Sequence, residues 1–231
     1  MNNTIAPYCM TNDDAVMMMF VMNIIAVSYV FIMNGAGILE RLKCMFYYES
    51  KATPFNDRTH ITRICNVFLY MQTIFYSTVI AAGYIDEHVQ LQHEGTLLKL
   101  FGALAVFFAV VLIFKRLSYD AVNAILFSHR EVAEWRSTYF FTIKLLGFAL
   151  APAATAILFI PSISFNFVRI YLLFVLIAYL YTILSALLKI IFAKKCNYLD
   201  IFLYLCALEF LPMGIVLKSV LQVSEFLTIK N

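Results

Sequence analysis

Charge is scarce in this sequence: Asp, Glu, Lys and Arg together make up 13% of its 231 residues, about half the share of an ordinary soluble domain. That excludes a normally solvated surface. Five cysteines are present, Cys9, Cys44, Cys65, Cys196 and Cys206, and no two show CxxC or other metal-ligand spacing, so neither a disulfide framework nor a zinc site is expected. No glycine-rich phosphate loop, dinucleotide fingerprint or Ser, Cys or Asp nucleophile arrangement is present, which removes the common soluble-enzyme motifs. There is no internal repeat or low-complexity tract. The net charge of +3 is small and gathers on one set of connectors rather than along a stripe, which excludes a nucleic-acid footprint.

What is abundant is apolar surface: hydrophobic residues account for 63% of the chain. In lipid every backbone amide must be paired internally, and these apolar runs fit helices rather than the roughly 10-residue alternating strands of a barrel. The fold class expected is an all-α polytopic membrane bundle forming one integral membrane domain, residues 1–231. Six spans are readable: Ala15 to Ile38, Thr62 to Tyr84, Leu97 to Leu117, Thr138 to Ile160, Phe167 to Ala193 and Tyr198 to Leu221. The first resembles a secretory signal only in its apolarity. Asp13 and Asp14 precede it and the first basic residue is Arg41, the reverse of a signal's charge order, so it is read as a retained span.

The connectors alternate in charge. Leu39 to Ile61 carries Arg41, Lys43, Lys51 and Arg58, and Ser118 to Ser137 carries Arg130 and Arg136 directly after Lys115 and Arg116. The turn at Lys194 and Lys195 is also basic, whereas Ile85 to Thr96 holds Asp86, Glu87 and Glu94 without Lys or Arg, and Pro161 to Asn166 is uncharged. By the positive-inside rule both termini lie outside and the basic connectors are cytoplasmic. In two of these connectors Ile38, Leu42, Met45 and Phe46, and then Val122, Ile125 and Leu126, fall on one helical face. They predict short amphipathic helices on the inner leaflet, with Trp135 at the re-entry point.

Polar residues inside the spans are the candidate functional positions, because a charge at that depth costs roughly 2.5 to 3.5 kcal/mol and needs a partner. Glu209 stands near the middle of the last span, with Pro212 one turn on predicting a kink. Lys144 lies in the fourth span below Gly147 and Pro152, a flexible or broken middle; it either snorkels to the inner surface or pairs inside the bundle. Depth favours Glu209 as that partner, since both sit about 13 to 16 Å from the inner ends of their spans. Asn66, Tyr70, Thr73 and Ser77 recur at three- and four-residue spacing in the second span, so they share one face, which should look into the bundle as hydrogen-bond glue or a substrate path. Gln72 and Tyr76 add polarity nearby, and an isolated Asn23 in the first span reads as glue. His88 and His93 stand among Asp86, Glu87 and Glu94; their spacing fits no established zinc motif, so they are weak metal candidates in a solvated acidic loop.

The closing segment, FLYLCALEFLPMGIVLK from Phe202 to Lys218, resembles the end of the bacterial membrane family called domain of unknown function 4271. The likeness runs from about Asp14 to Gln222 and includes the basic loop after the first span, Lys115, and the Gly147 to Pro152 half of the fourth span. The resemblance implies a multi-spanning protein of the bacterial cytoplasmic membrane with no assigned activity, and it adds weight to Glu209. The expected role is a non-enzymatic component or scaffold of a membrane or envelope complex, with the lipid bilayer and other membrane proteins as partners and no cofactor. The alternatives are a small proton-coupled carrier built on Glu209, Pro212, Gly147 and Pro152, and a membrane-embedded lipid-modifying enzyme using the outer acidic loop.

Overall fold

In the computed structural model the described residues are 14–46, 60–89, 94–126, 129–160, 165–193 and 211–230, and all of their regular structure is helical. The helices are α1 (Asp14–Phe46), α2 (His60–Val89), α3 (Glu94–Leu126), α4 (His129–Phe159), α5 (Phe165–Ala193) and α6 (Leu211–Lys230). Five are long and apolar enough to cross a membrane, with candidate spans Asp14–Leu39, Ile64–Glu87, Leu98–Ala121, Tyr139–Phe159 and Asn166–Ser185. Of the expected Tyr198 to Leu221 span the described residues cover only the part from Leu211, which is helical as α6 and apolar over Pro212–Val223; the rest of that span lies outside them. Pro212 lies in the described part of α6, while the residues before Leu211, where its kink was expected, lie outside the described residues.

Contacts between rings fix how the helices run. Phe20 meets Phe75 and Tyr29 meets Phe68, so α1 and α2 are antiparallel. On α4 and α5, Tyr171 bonds Ala149 while Tyr179 and Tyr139 share a cluster nearer the start of α4, which makes that pair antiparallel too. Thr73 facing Gly147 and Asn66 bonding Lys144 make α2 and α4 parallel, and Arg116 and Tyr119 meet Phe140 and Tyr139, so the ends of α1 and α3 and the starts of α2 and α4 lie at one end of the bundle.

α2 and α4 form its centre. Each has 44% of its span buried, against 11% for α3; α2 packs on α1, α3, α4 and α6, and α4 on α2, α5 and α3. One core runs through Phe20, Tyr76, Val79, Leu150, Ala154 and Leu158. The peripheral helices turn apolar side chains outward, among them Met18, Ile32, Val106, Ile113, Phe167 and Phe174. So much exposed apolar surface has a bilayer as its natural solvent.

Local chemistry shapes the helix ends and bends. α4 stops at Phe159 because Pro161 disfavours helical geometry in the residue before it and has no amide proton; the last backbone bond is Ile160 N–H to the Ala156 carbonyl, 3.0 Å. Earlier, α4 passes through Gly147 and Pro152 as one helix. The residue with non-helical dihedrals inside a helix is Asn34 of α1, at φ −141° and ψ 17°. The amphipathic stretches expected in two connectors are helical, but as continuations: α1 runs on to Phe46 and α3 to Leu126.

Candidate functional site

The polar face of α2 meets the Lys144 face of α4. Thr73 is where they come closest. Its hydroxyl donates to the Leu69 carbonyl at 3.0 Å, the usual turn-back bond of a helical threonine, and also lies 3.4 Å from the Ile143 carbonyl on α4. Opposite it Gly147 has no side chain, and a Cβ placed there would sit 2.6 Å from Thr73 Oγ1 and 3.3 Å from the Thr73 Cα. Glycine is thus the condition for this approach.

One turn nearer the basic end, Lys144 turns inward. It is 6% exposed, its Nζ donates to Asn66 Oδ1 at 2.6 Å, and the ammonium lies 5.5 Å from the centre of the Tyr70 ring, within cation–π range. Asn66, Tyr70 and Thr73 are therefore gathered around one α4 face, with Ser77 half-buried one turn further along α2. A cavity opens beside the ammonium, lined by Asn34, Gly37 and Ile38 of α1, Asn66 and Leu69 of α2, and Phe141 and Lys144 of α4. It leaves ≈ 20 Å³ for the centre of a water molecule, room for about one. The bend at Asn34 and the missing side chain of Gly37 border that space. Chemically, the arrangement can hold a hydrated cationic group in place, and nothing in it resembles a nucleophile with its base.

A second polar cluster closes the same end between α3, α4 and α5. Lys115 Nζ donates to the Tyr179 hydroxyl at 3.1 Å and lies 5.6 and 5.5 Å from the Tyr139 and Tyr179 ring centres. Tyr119 and Tyr139 stack at 3.9 Å. Higher in the bundle the Tyr171 hydroxyl donates to the Ala149 carbonyl at 2.7 Å, one residue from the carbonyl that Pro152 leaves without a helical donor.

A sequence profile of the protein family described as Domain of unknown function (DUF4271) matches residues 16–220. The chain belongs to this family. No curated protein and no solved structure matches it. The DUF4271 match begins in α1 and ends within α6, so it contains Lys144, Asn66, Gly147 and both polar clusters.

Several DUF4271 positions singled out in the sequence have no described place relative to this site. Glu209 and His93 lie outside the described residues, as does the side chain of His88 in the last turn of α2; the Lys144–Glu209 pairing lies there with them. The described part of α6 packs chiefly on α2 and α3. Asn34 and Gly37 were missed, although an Asn-Gly step inside an apolar run signals a backbone irregularity. Asn23 and Gln72 were underrated: Asn23 Oδ1 and Gln72 Oε1 are buried without a hydrogen-bond donor, each at a cost of about 1–3 kcal/mol. The Phe20–Phe75 and Tyr29–Phe68 contacts bracket them at nearly the same height on α1 and α2.

Proposed function

We propose that this DUF4271 protein is a non-enzymatic, multi-pass component of the bacterial cytoplasmic membrane that acts as a scaffold in an envelope or membrane complex. The Thr73–Gly147 contact carries this reading. It brings the two central helices together at the depth where a carrier needs a path, and the apolar core from Tyr76 to Leu158 continues the closure toward the other end. A bundle packed in this way suits a fixed support whose peripheral helices offer apolar faces to lipid and to neighbouring proteins. The basic connectors support a cytoplasmic position for the Lys144 end and an outside position for both termini, and the helical ends of α1 and α3 suit contact with the inner leaflet.

Cysteines introduced singly at Ser77 and Ala154, in a background with the native cysteines replaced, test the closed seam. Neither should react with a small hydrophilic thiol reagent applied from either side of the membrane. Reaction at either position would favour a carrier instead. That second reading draws on the unpartnered acceptors of Asn23 and Gln72, which would receive hydrogen bonds from a donor-bearing solute in an opened state.

A further inference from the structure

α3 places two cations side by side, Lys115 and Arg116, near the basic end of its apolar span Leu98–Ala121. Lys115 is drawn toward the tyrosines of α4 and α5, whereas Arg116 is exposed. The Arg116 guanidinium carbon sits 5.5 Å from the Phe140 ring centre, so an aromatic face of α4 orients it without neutralising it. Among the described residues no ion pair to Arg116 is found, and Asp120, one turn further along α3, is not free. Val110, Ile113 and Phe114, before these cations, and Leu117, directly after them, are between 57% and 61% exposed. At i, i+3, i+4 and i+7 they form one stripe facing lipid.

A fixed cation at the boundary of the hydrocarbon, continued by an apolar stripe toward the membrane centre, matches a phospholipid in charge and in shape. We propose that the Arg116–Lys115 end of α3 binds the phosphate of an anionic phospholipid in the leaflet at that end of the bundle, its acyl chains lying along Val110 to Leu117. The guanidinium supplies paired N–H donors to phosphate oxygens. The adjacent ammonium, held by the Tyr179 hydroxyl, adds a second positive charge. A free phosphate ion would use the cations but not the stripe, and this selects a lipid. The site requires only that the helices span a membrane and stands apart from the scaffold reading.

The purified protein in nanodiscs of phosphatidylcholine, with and without phosphatidylglycerol, tests the site by native mass spectrometry and thermal melting. Wild type should retain phosphatidylglycerol preferentially and melt higher in its presence. Arg116→Gln should retain about fivefold less, the share of one interfacial cation. Arg116→Lys should keep most of the preference, and because Arg116 is exposed both variants should fold. Equal retention of the two lipids by wild type would overturn the proposal, as would unchanged preference in Arg116→Gln. Stabilisation by inorganic phosphate in pure phosphatidylcholine discs equal to that by phosphatidylglycerol would also refute a lipid site.

Discussion

Substituting Gly147 by Ala adds a single methyl group at the tightest point between α2 and α4. The new carbon would lie 2.6 Å from Thr73 Oγ1 and 3.3 Å from both the Cα and the backbone nitrogen of Thr73. The hydroxyl can rotate away, but only by giving up its bonds to the Leu69 and Ile143 carbonyls. The backbone atoms cannot, so the helices must separate by a few tenths of an ångström along their most extensive contact. Overpacking of this kind costs about 1–3 kcal/mol, while alanine gains about 0.5–1 kcal/mol over glycine in a helix. The net loss should be about 1–2 kcal/mol, or about 3–6 °C in melting temperature for a chain of this size. Reactivity of the buried Cys65 thiol toward a fluorogenic maleimide during heating, with the other cysteines replaced by Ser, provides the assay. Thr73→Ala removes the hydroxyl but leaves the backbone contacts, so it should recover part of the Gly147→Ala loss. A Gly147→Ala protein as stable as wild type would refute the reasoning, and strictly additive losses in the double variant would show that the two positions do not touch.

The same assay reads the other buried contacts. Lys144→Met should lower stability by about 1–3 kcal/mol by removing the donor to Asn66 Oδ1, and Asn66→Leu by about 1.5–3 kcal/mol by removing an acceptor from a buried ammonium; no loss in either would contradict the geometry. A Lys144→Met, Glu209→Gln cycle tests whether those two also interact, with additive losses ruling the pair out. Tyr171→Phe should cost about 1 kcal/mol through the lost bond to the Ala149 carbonyl, and no change would mean that the carbonyl is satisfied in another way. Exchanging Leu42, Phe46, Ile125 and Leu126 for Ser should raise hydrogen exchange at the ends of α1 and α3 while the spans stay protected. An introduced cysteine at Glu94 should label from outside and one at Lys195 from the cytoplasm; the opposite pattern would invert the orientation.

Helix type and approximate limits were legible because the bilayer leaves the backbone few choices: a long uncharged run has to be a helix, and the five segments from Ala15 to Ala193 fall inside observed helices, save Ile160 one residue past α4; most of the sixth lies outside the described residues. The boundaries ran longer than hydropathy suggests. α1 and α3 continue past the apolar spans because Leu39 to Phe46 and Ser118 to Leu126 keep both helical propensity and an apolar face after leaving the span. The bend was placed by proline, yet α4 carries Pro152 in one uninterrupted helix while Asn34 breaks the helical dihedrals of α1. A proline removes one donor, here that of the Phe148 carbonyl, and a neighbouring helix can hold such a stretch in place, as α5 does through the Tyr171 hydroxyl at the adjacent Ala149 carbonyl. Propensity alone does not reveal such a neighbour, because it comes from another helix.

The surroundings of Lys144 show the same limit at the candidate site. Depth along a helix can be counted from sequence, but azimuth and adjacency cannot, so height pointed to Glu209, which lies outside the described residues, and gave no sign of Asn66 or Tyr70. The observed arrangement follows from facts already present in two spans once α2 and α4 are known to be parallel neighbours. If Gly147 faces Thr73, then Lys144, three residues earlier, is level with Tyr70, and its ring lies under the ammonium. A lysine side chain leans toward the start of its own helix, which here is the basic end. Leaning about one turn, roughly 6 Å for four residues, carries Nζ from the height of Tyr70 to that of Asn66, where the hydrogen bond is found. The side chain therefore extends in the snorkelling direction, but α1 lines the cavity there with Asn34, Gly37 and Ile38. Asn66 accepts the hydrogen bond that water would otherwise have accepted. The bend in α1 and the buried ammonium of Lys144 thus border one cavity, and loosening the segment after Asn34 should expose the ammonium before it disturbs the Thr73–Gly147 seam.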